Sequence, residues 1–258
     1  YLLALRKKNE LFYSPSFETI SAFGKHAALP HYRVSKKSNL RFKKNQIYLF
    51  DSGGQYFDGT TDITRTVIIG KPNNEQKDRF TRVLKGHIAI AVVKFPKNSK
   101  GSSIDHLARK WLNEINCDFD HGTGHGIGSF LSVHEGPQRI AKNQGQSDGI
   151  FEEGMIVSNE PGYYKEGKYG IRIENLILTK EMNDDSNHLY FKTLTPQPHE
   201  LKTHYSSIYV QRRQSTFITR LENLLPCRRS GVNICNRAKD ELVLDLKGKF
   251  CWAGAEGR

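Results

Sequence analysis

Cysteine is scarce in these 258 residues. Cys117, Cys227, Cys235 and Cys251 form no CxxC pair, which argues against a zinc ribbon, a thioredoxin-like site or a disulfide scaffold and leaves reduced cytosolic thiols as the plain reading. Long apolar runs are missing too. The longest, around Ile88–Val93, falls far short of the roughly 18–20 residues that a membrane span needs, so no membrane partner is expected. The chain opens at Tyr1 rather than Met, with no charged n-region and no long h-region, so no secretory leader is read and an upstream part is expected to be missing. Hydrophobic residues at 37% and aromatics at 10%, spread along the chain, exclude disorder throughout and allow a sizeable core in one large domain or two small ones.

Acidic residues are outnumbered, giving a net charge of +12, and such an excess points to an acidic partner such as nucleic acid. Its distribution weakens that reading. Residues 1–198 carry +7, on scattered lysines such as Lys36, Lys43, Lys71 and Lys97, whereas the 60 residues 199–258 carry +5. A solvated basic surface accounts for the first part, and no nucleic-acid partner is expected.

Ile47–Phe50 is a short β-forming run that ends at Asp51, and Ile63–Ile69 alternates in the manner of a strand until Gly70-Lys71-Pro72 stops it. From Asn74 to Phe95 the period becomes helical, with Phe80, Val83, Leu84, Ile88, Ala91 and Val92 in phase. A second helix is expected from about Ser103, with Ser102 and Asp105 as its capping box. Residues 121–137, rich in glycine and histidine, cannot form a regular helix. Met155–Asn159 and Tyr169–Leu178 read as strands. Strands and helices mix without a strict βαβ rhythm, which favours α+β. Residues 199–258 differ in texture: arginine outnumbers lysine seven to four, three of the four cysteines lie there, and the apolar pattern is weak until Leu242-Val243-Leu244.

Unusual polar residues stand at the segment ends. Asp51 closes one strand and Asp62 opens the next, so two antiparallel strands can set both carboxylates side by side. Such a pair needs a proton or a cation between its members; two unrelated surface acids are the alternative. His121, His125 and His134 fall within fourteen residues among interleaved glycines, which let backbone approach a ligand closely. Glu160 follows a strand and precedes Pro161-Gly162. Glu174, inside Ile171-Arg172-Ile173-Glu174, is costly to bury unless it is paired or metal-bound, and a plain ion pair with Arg172 would also satisfy it. Two Asp, one His and two Glu make an oxygen-rich donor set, suited to Mn²⁺ or a similar divalent ion, and bridging carboxylates allow five residues to hold two ions.

These strings resemble the pita-bread metallopeptidases, specifically the long, multidomain form of Xaa-Pro aminopeptidase. The matching stretches are Leu11–Tyr32, Asp51–Thr66, Gln76–Phe95, Asp120–Gly128, Val133–Ile140, Ser158–Tyr164 and Gly170–Asn175, within roughly residues 5–196. The resemblance implies a curved antiparallel sheet flanked by helices in residues 1–198. It implies Asp51, Asp62, His125, Glu160 and Glu174 as ligands of two metal ions, with Asp62 and Glu174 bridging. His31, His121 and His134 would serve as substrate-binding histidines, the last two also at the transition state. Glu160 would shuttle the proton of the attacking water, and Arg172 would orient carboxylates without touching metal. The implied reaction is attack of a metal-bridging water on the first peptide bond of a peptide with proline in second place, in the cytoplasm, with Co²⁺ or Zn²⁺ as substitutes for Mn²⁺ and a homodimer as the assembly. Pro196–Arg258 matches no part of that family. A frame-shifted or foreign tail and a genuine adaptor tail are its two readings, and an inactive remnant or a non-enzymatic binding module is the alternative to an active enzyme.

Overall fold

The three-dimensional structure is a computed structural model. It describes residues 1–142, residues 148–195 and the backbone of two strands further on. The chain divides into two units, Tyr1–Tyr205 and Ser206–Arg258.

The first unit begins with a short helix α1 (Leu2–Arg6) and the strands β1 (Phe12–Pro15) and β2 (Ile20–Phe23). Then come β3 (Gln46–Asp51), β4 (Gly54–Tyr56), β5 (Gly59–Thr60) and β6 (Thr64–Ile69). Helix α2 (Asn74–Val92), β7 (Lys94–Pro96) and helix α3 (Asp105–Asn113) lead into the glycine-rich segment, which holds β8 (Gly124–His125) and β9 (Arg139–Ile140). The chain goes on through β10 (Ile156–Asn159), β11 (Gly162–Lys165), β12 (Tyr169–Arg172), β13 (Asn175–Glu181) and β14 (His188–Thr193). Among the described residues of this unit the strand pairing is antiparallel throughout, in a β2-β3-β6 sheet, a β10-β13-β14-β7 sheet, a β1-β4-β5 sheet and the two-stranded β8-β9 and β11-β12 ribbons. The architecture is the expected α+β class. In the second unit, β15 (Leu242–Leu244) pairs antiparallel with β16 (Phe250–Trp252); the rest of 199–258, where the sequence texture changes, lies outside the described residues.

The helices show where periodicity was a good guide and where it slipped. α2 starts on a true capping box: the Asn73 side chain accepts from the Gln76 N–H, and the Gln76 side chain accepts from the Asn73 N–H. Its buried stripe is Phe80, Val83, Gly86, His87 and Ile90, rotated from the expected one, which leaned on Leu84 and Ile88. Gly86 and His87 explain the rotation. A Cβ on Gly86 would meet the Ala108 carbonyl oxygen at 2.2 Å, so α3 packs directly on that backbone. His87 is drawn inward by the Asn159 carbonyl at 3.0 Å and the Asn175 amide at 3.1 Å. At α3 the expected Ser102–Asp105 box is absent, because Asp105 turns into the core and pairs with Arg109 and Thr123. Two strand boundaries also differ. Asp62 stands two residues before β6, and the single strand expected over Tyr169–Leu178 breaks at Ile173-Glu174 into β12 and β13.

Candidate metal centre

Sequence-distant segments converge where several strands end. Asp51 is the last residue of β3, opposite Ile20 on one side and Thr64 on the other. Asp62 approaches from the return of the β4–β5 hairpin, where the Ser52 N–H donates to the Ile63 carbonyl. His125 ends β8, Glu160 follows β10, and Glu174 occupies the break between β12 and β13. Cross-links fix these joints: the Glu160 N–H donates to the Thr123 carbonyl, the Glu174 N–H to the Thr64 carbonyl, and the His125 N–H to Ser158 Oγ at 2.9 Å. The glycines work differently from the sequence expectation. They let backbone approach backbone: a Cβ on Gly124 would lie 1.9 Å from the Ser158 carbonyl oxygen, and one on Gly126 equally close to that of Glu135.

Asp62, His125 and Glu174 each offer a ligand atom, and all three atoms lie within 4.8 Å of one another. Glu160 joins through His125, whose Nε2 is 3.2 Å from Glu160 Oε1 and 3.4 Å from Asp62 Oδ2. Asp51 is held by Arg172, which donates to its Oδ2 at 2.6 Å. Arg172 therefore does not form the plain ion pair with Glu174. Its Nε donates to Thr64 Oγ1, which in turn donates to Glu174 Oε2 at 2.7 Å. Thr64, Ser158 and Tyr164 escaped the sequence reading as site residues. Thr64 had a signal in the strand period, which sets Asp62, Thr64 and Thr66 on one face.

The electrostatics describe a site short of positive charge. Burial, then the neighbouring Asp62 and Glu160, push Asp51 up to about 7 in spite of Arg172. Glu174, 1% exposed, is raised well above the carboxylate range by burial and then by Asp62 and Glu160. Burial works against a charged His125 ring, but the Asp62 and Glu160 carboxylates outweigh it and lift it to about 11. Burial also works against the Glu160 carboxylate, yet its contacts with His125 hold it down at about 2. The Asp51 Oδ1 and Asp62 Oδ1 atoms are buried without a hydrogen-bond partner. Buried orphan oxygens on adjacent carboxylates fit divalent cations, and so does the donor set. His125 Nδ1 faces the Gly126 carbonyl at 3.0 Å, which leaves Nε2, turned toward the carboxylates, as the nitrogen that could ligate a metal.

Three other histidines belong to the surroundings of this cluster. The His134 ring lies 4.0 Å from that of His125, centroid to centroid, and burial, followed by the charge of His125, lowers its pKa. His31 is exposed on its loop, and its charge is among those acting on His134. Burial lowers the pKa of His121, whose Nδ1 faces the Gly122 carbonyl at 2.7 Å. The Tyr164 hydroxyl bridges Arg172 at 2.9 Å and His121 Nε2 at 2.7 Å. The Gly122 carbonyl can only accept and burial disfavours a charged ring, so a neutral His121 carries its proton on Nδ1 and accepts the Tyr164 hydroxyl at Nε2.

Among the described residues, an antiparallel α+β fold gathers buried carboxylates and a histidine into a donor set that suits a divalent metal. Residues 2–181 match the model of metallopeptidase family M24, and the chain belongs to that family, with its pita-bread fold. It is 47% identical over 203 residues to a protein of Phaeosphaeria nodorum named Probable Xaa-Pro aminopeptidase P, covering 77% of this chain and 31% of that one. A protein of the same name in Laccaria bicolor is 46% identical over 202 residues, covering 76% and 32%. Among solved structures, an X-prolyl aminopeptidase from Caenorhabditis elegans, described as a cytosolic enzyme with a di-nuclear active site, superposes with a TM-score of 0.74 at 39% identity. That match covers 86% of this chain and 36% of the other. The prolidase from Pyrococcus furiosus superposes at 0.62 with 30% identity, covering 72% and 51%. The chain spans about a third of the length of the curated relatives it matches. Among the described residues no helix is long and apolar enough to cross a membrane.

Proposed function

We infer that residues 1–198 are the catalytic region of a cytoplasmic Xaa-Pro aminopeptidase, which removes the first residue of peptides with proline in second place. Asp51, Asp62, His125, Glu160 and Glu174 would hold two divalent ions, Mn²⁺ by preference because the donors are mostly hard oxygens. The observation that carries the reading is the pair of orphaned oxygens on Asp51 and Asp62, beside the Asp62–His125–Glu174 cluster, in a chain of this family.

When bound, the metal pair supplies a water of lowered pKa and polarises the scissile carbonyl. Glu160, steered by Ser158 Oγ at 3.0 Å, receives the water's proton and returns it to the departing proline nitrogen. His134 and His121 face the developing oxyanion, with Tyr164 and Arg172 fixing the orientation of His121. His31 and His134 line the approach of the substrate. The acidic floor attracts its free α-ammonium and so gives amino-terminal selectivity. A homodimer is the assembly that goes with this family resemblance.

The test is hydrolysis of Ala-Pro-Ala by Mn²⁺-loaded protein beside a Glu160→Gln control. Release of free alanine by the parent and not by the control is the expected result. No release with two metal ions bound per chain would mean a site that forms without substrate support. Neither release nor metal would identify an inactive remnant.

A further inference from the structure

One surface feature plays no part in the mechanism. Tyr13, Phe57, Phe130 and Leu131 are 63%, 59%, 40% and 61% exposed, although all four are apolar or aromatic. Three of them form a closed cluster. Phe57 and Phe130 stack at 5.3 Å with an interplanar angle of 25°, and Tyr13 meets both edge-on, at 5.7 Å and 5.3 Å. Phe130 adopts φ 49°, a costly backbone for a bulky aromatic residue that burial does not repay here. Its loop is held in that shape. The Gly128 N–H donates to the Ser132 carbonyl, and the Gln55 amide, oriented to suit its neighbours, faces the Phe130 N–H at 3.3 Å and the Leu131 carbonyl at 3.1 Å. A strained residue clamped into an exposed stack indicates a selected surface rather than an accident of packing.

The cluster adjoins the metal centre through the chain itself. Phe57 is on the hairpin between Asp51 and Asp62, Phe130 is on the loop between His125 and His134, and Tyr13 is on β1, paired with that hairpin. Phe57 lies five residues before Asp62 on the hairpin, so at about 3.3 Å per strand residue the chain sets it at most about 16 Å away. An extended peptide rising about 3.1 Å per residue covers that distance in about five residues. Proline holds the residue before it extended as well, so the proposed substrates arrive with an extended backbone, and aromatic platforms bind such segments at low entropic cost.

We propose that the Tyr13–Phe57–Phe130 cluster is a platform for the peptide chain downstream of the scissile bond, one that selects substrates carrying further prolines or flat apolar residues there. The proposal deepens the peptidase reading and rests on it. Its test uses the full chain, metal-loaded, and peptides whose first bond is reduced to CH₂–N so that they cannot be cleaved. Calorimetry compares Ala-Pro-Pro-Pro-Ala with Ala-Pro-Gly-Gly-Gly. The parent is expected to bind the proline-rich peptide about five- to tenfold more tightly. The Tyr13→Ser/Phe57→Ser variant, with both sites exposed and its fold checked by melting, is expected to bind the two equally. Cleavable versions should show the same ratio in KM, with Ala-Pro-Ala turnover unchanged. A preference that survives in the variant overturns the proposal. So does a variant that turns from dimer to monomer in sedimentation while keeping the preference, since the patch is then a self-association surface. Trio-dependent binding without hydrolysis of any peptide would sink the peptidase reading and leave the platform standing.

Discussion

The two ends of the same strands follow opposite polar rules. β3 runs from Gln46 to Asp51, and β12 from Tyr169 to Arg172. At the Gln46 and Tyr169 ends, Glu75 is fully answered: Lys165 Nζ lies 2.8 Å from both of its oxygens, and the Tyr169 hydroxyl donates at 2.6 Å. These contacts lower its pKa. At the Asp51 and Arg172 ends, carboxylates crowd together with two buried oxygens unanswered, and Asp51 and Glu174 are pushed up. A fold built for stability alone would not bury that imbalance. The difference locates function at one end and structural pairing at the other, and substitutions can break the comparison.

The largest effect is expected at Glu174. Glu174→Gln keeps the shape, removes one of the proposed ligands and should cut the proposed peptidase activity by a thousandfold or more. Metal-free, the same variant should be the more stable protein. The folded pKa of Glu174 is raised above its unfolded value, so the parent is penalised as pH climbs past the ordinary carboxylate range, and the variant is not. Melting in EDTA should show a gap in favour of the variant at pH 8 that closes toward pH 5. A variant that melts lower at pH 8 would contradict the imbalance described above.

Arg109 comes next, as the paired counterpart inside the first unit. Its guanidinium meets both oxygens of Asp105, Asp118 Oδ1 at 2.9 Å, and the carbonyls of Phe119 and His121 at 2.5 Å and 3.0 Å. Lysine cannot reproduce that planar fork. Arg109→Lys is expected to cost about 3 kcal/mol in urea unfolding, since it leaves Asp105 buried and half-paired. Amide exchange should quicken over Asp118–Thr123, the segment that carries His121.

His87 tests burial without function. Burial, then the charge of Arg65, lowers its pKa to about 4, against about 6.5 when unfolded. The unfolded chain takes up that proton first, so this contribution to stability is complete above pH 6.5 and is lost as pH falls toward 4. The loss should reach on the order of 3 kcal/mol at pH 4. Denaturation of the parent and of His87→Gln across that window should show this contribution as the difference between their two pH profiles, since Asp51 and Glu174 titrate in both.

The motif residues were legible because the chemistry needs rare types at segment ends: Asp51, Asp62, His125, Glu160 and Glu174 stand out against apolar runs. Their supports were not. Thr64 and Ser158 are ordinary strand residues whose importance comes from what lies across a sheet, and no spacing within one segment reports that. Asp105 misled for the same reason: a carboxylate three residues after a serine looks like a cap until Arg109 and Thr123 offer it stronger partners indoors. The helical period expected from Asn74 to Phe95 starts where α2 starts but overruns its end at Val92 into β7, and its phase is rotated, since a hydrophobic pattern cannot foresee a buried histidine or a glycine chosen for close approach. The break at Ile173-Glu174 was invisible because the apolar pattern runs straight through it, while the Ile173 and Glu174 N–H groups donate to the Pro161 and Thr64 carbonyls from sequence-distant segments.

The smallest effect belongs to the answered end. Glu75→Gln replaces the carboxylate shared by Lys165 and Tyr169 with a neutral acceptor, and the ion pair it loses joins side chains 37% and 41% exposed, where pairing gains little over hydration. The melting midpoint should stay within about 2 °C of the parent, and the remaining difference should fade in 0.5 M salt. A large drop would mean that the Glu75–Lys165–Tyr169 triad carries stability the carboxylate end lacks, and the contrast between the two ends would then have to rest on burial alone rather than on pairing.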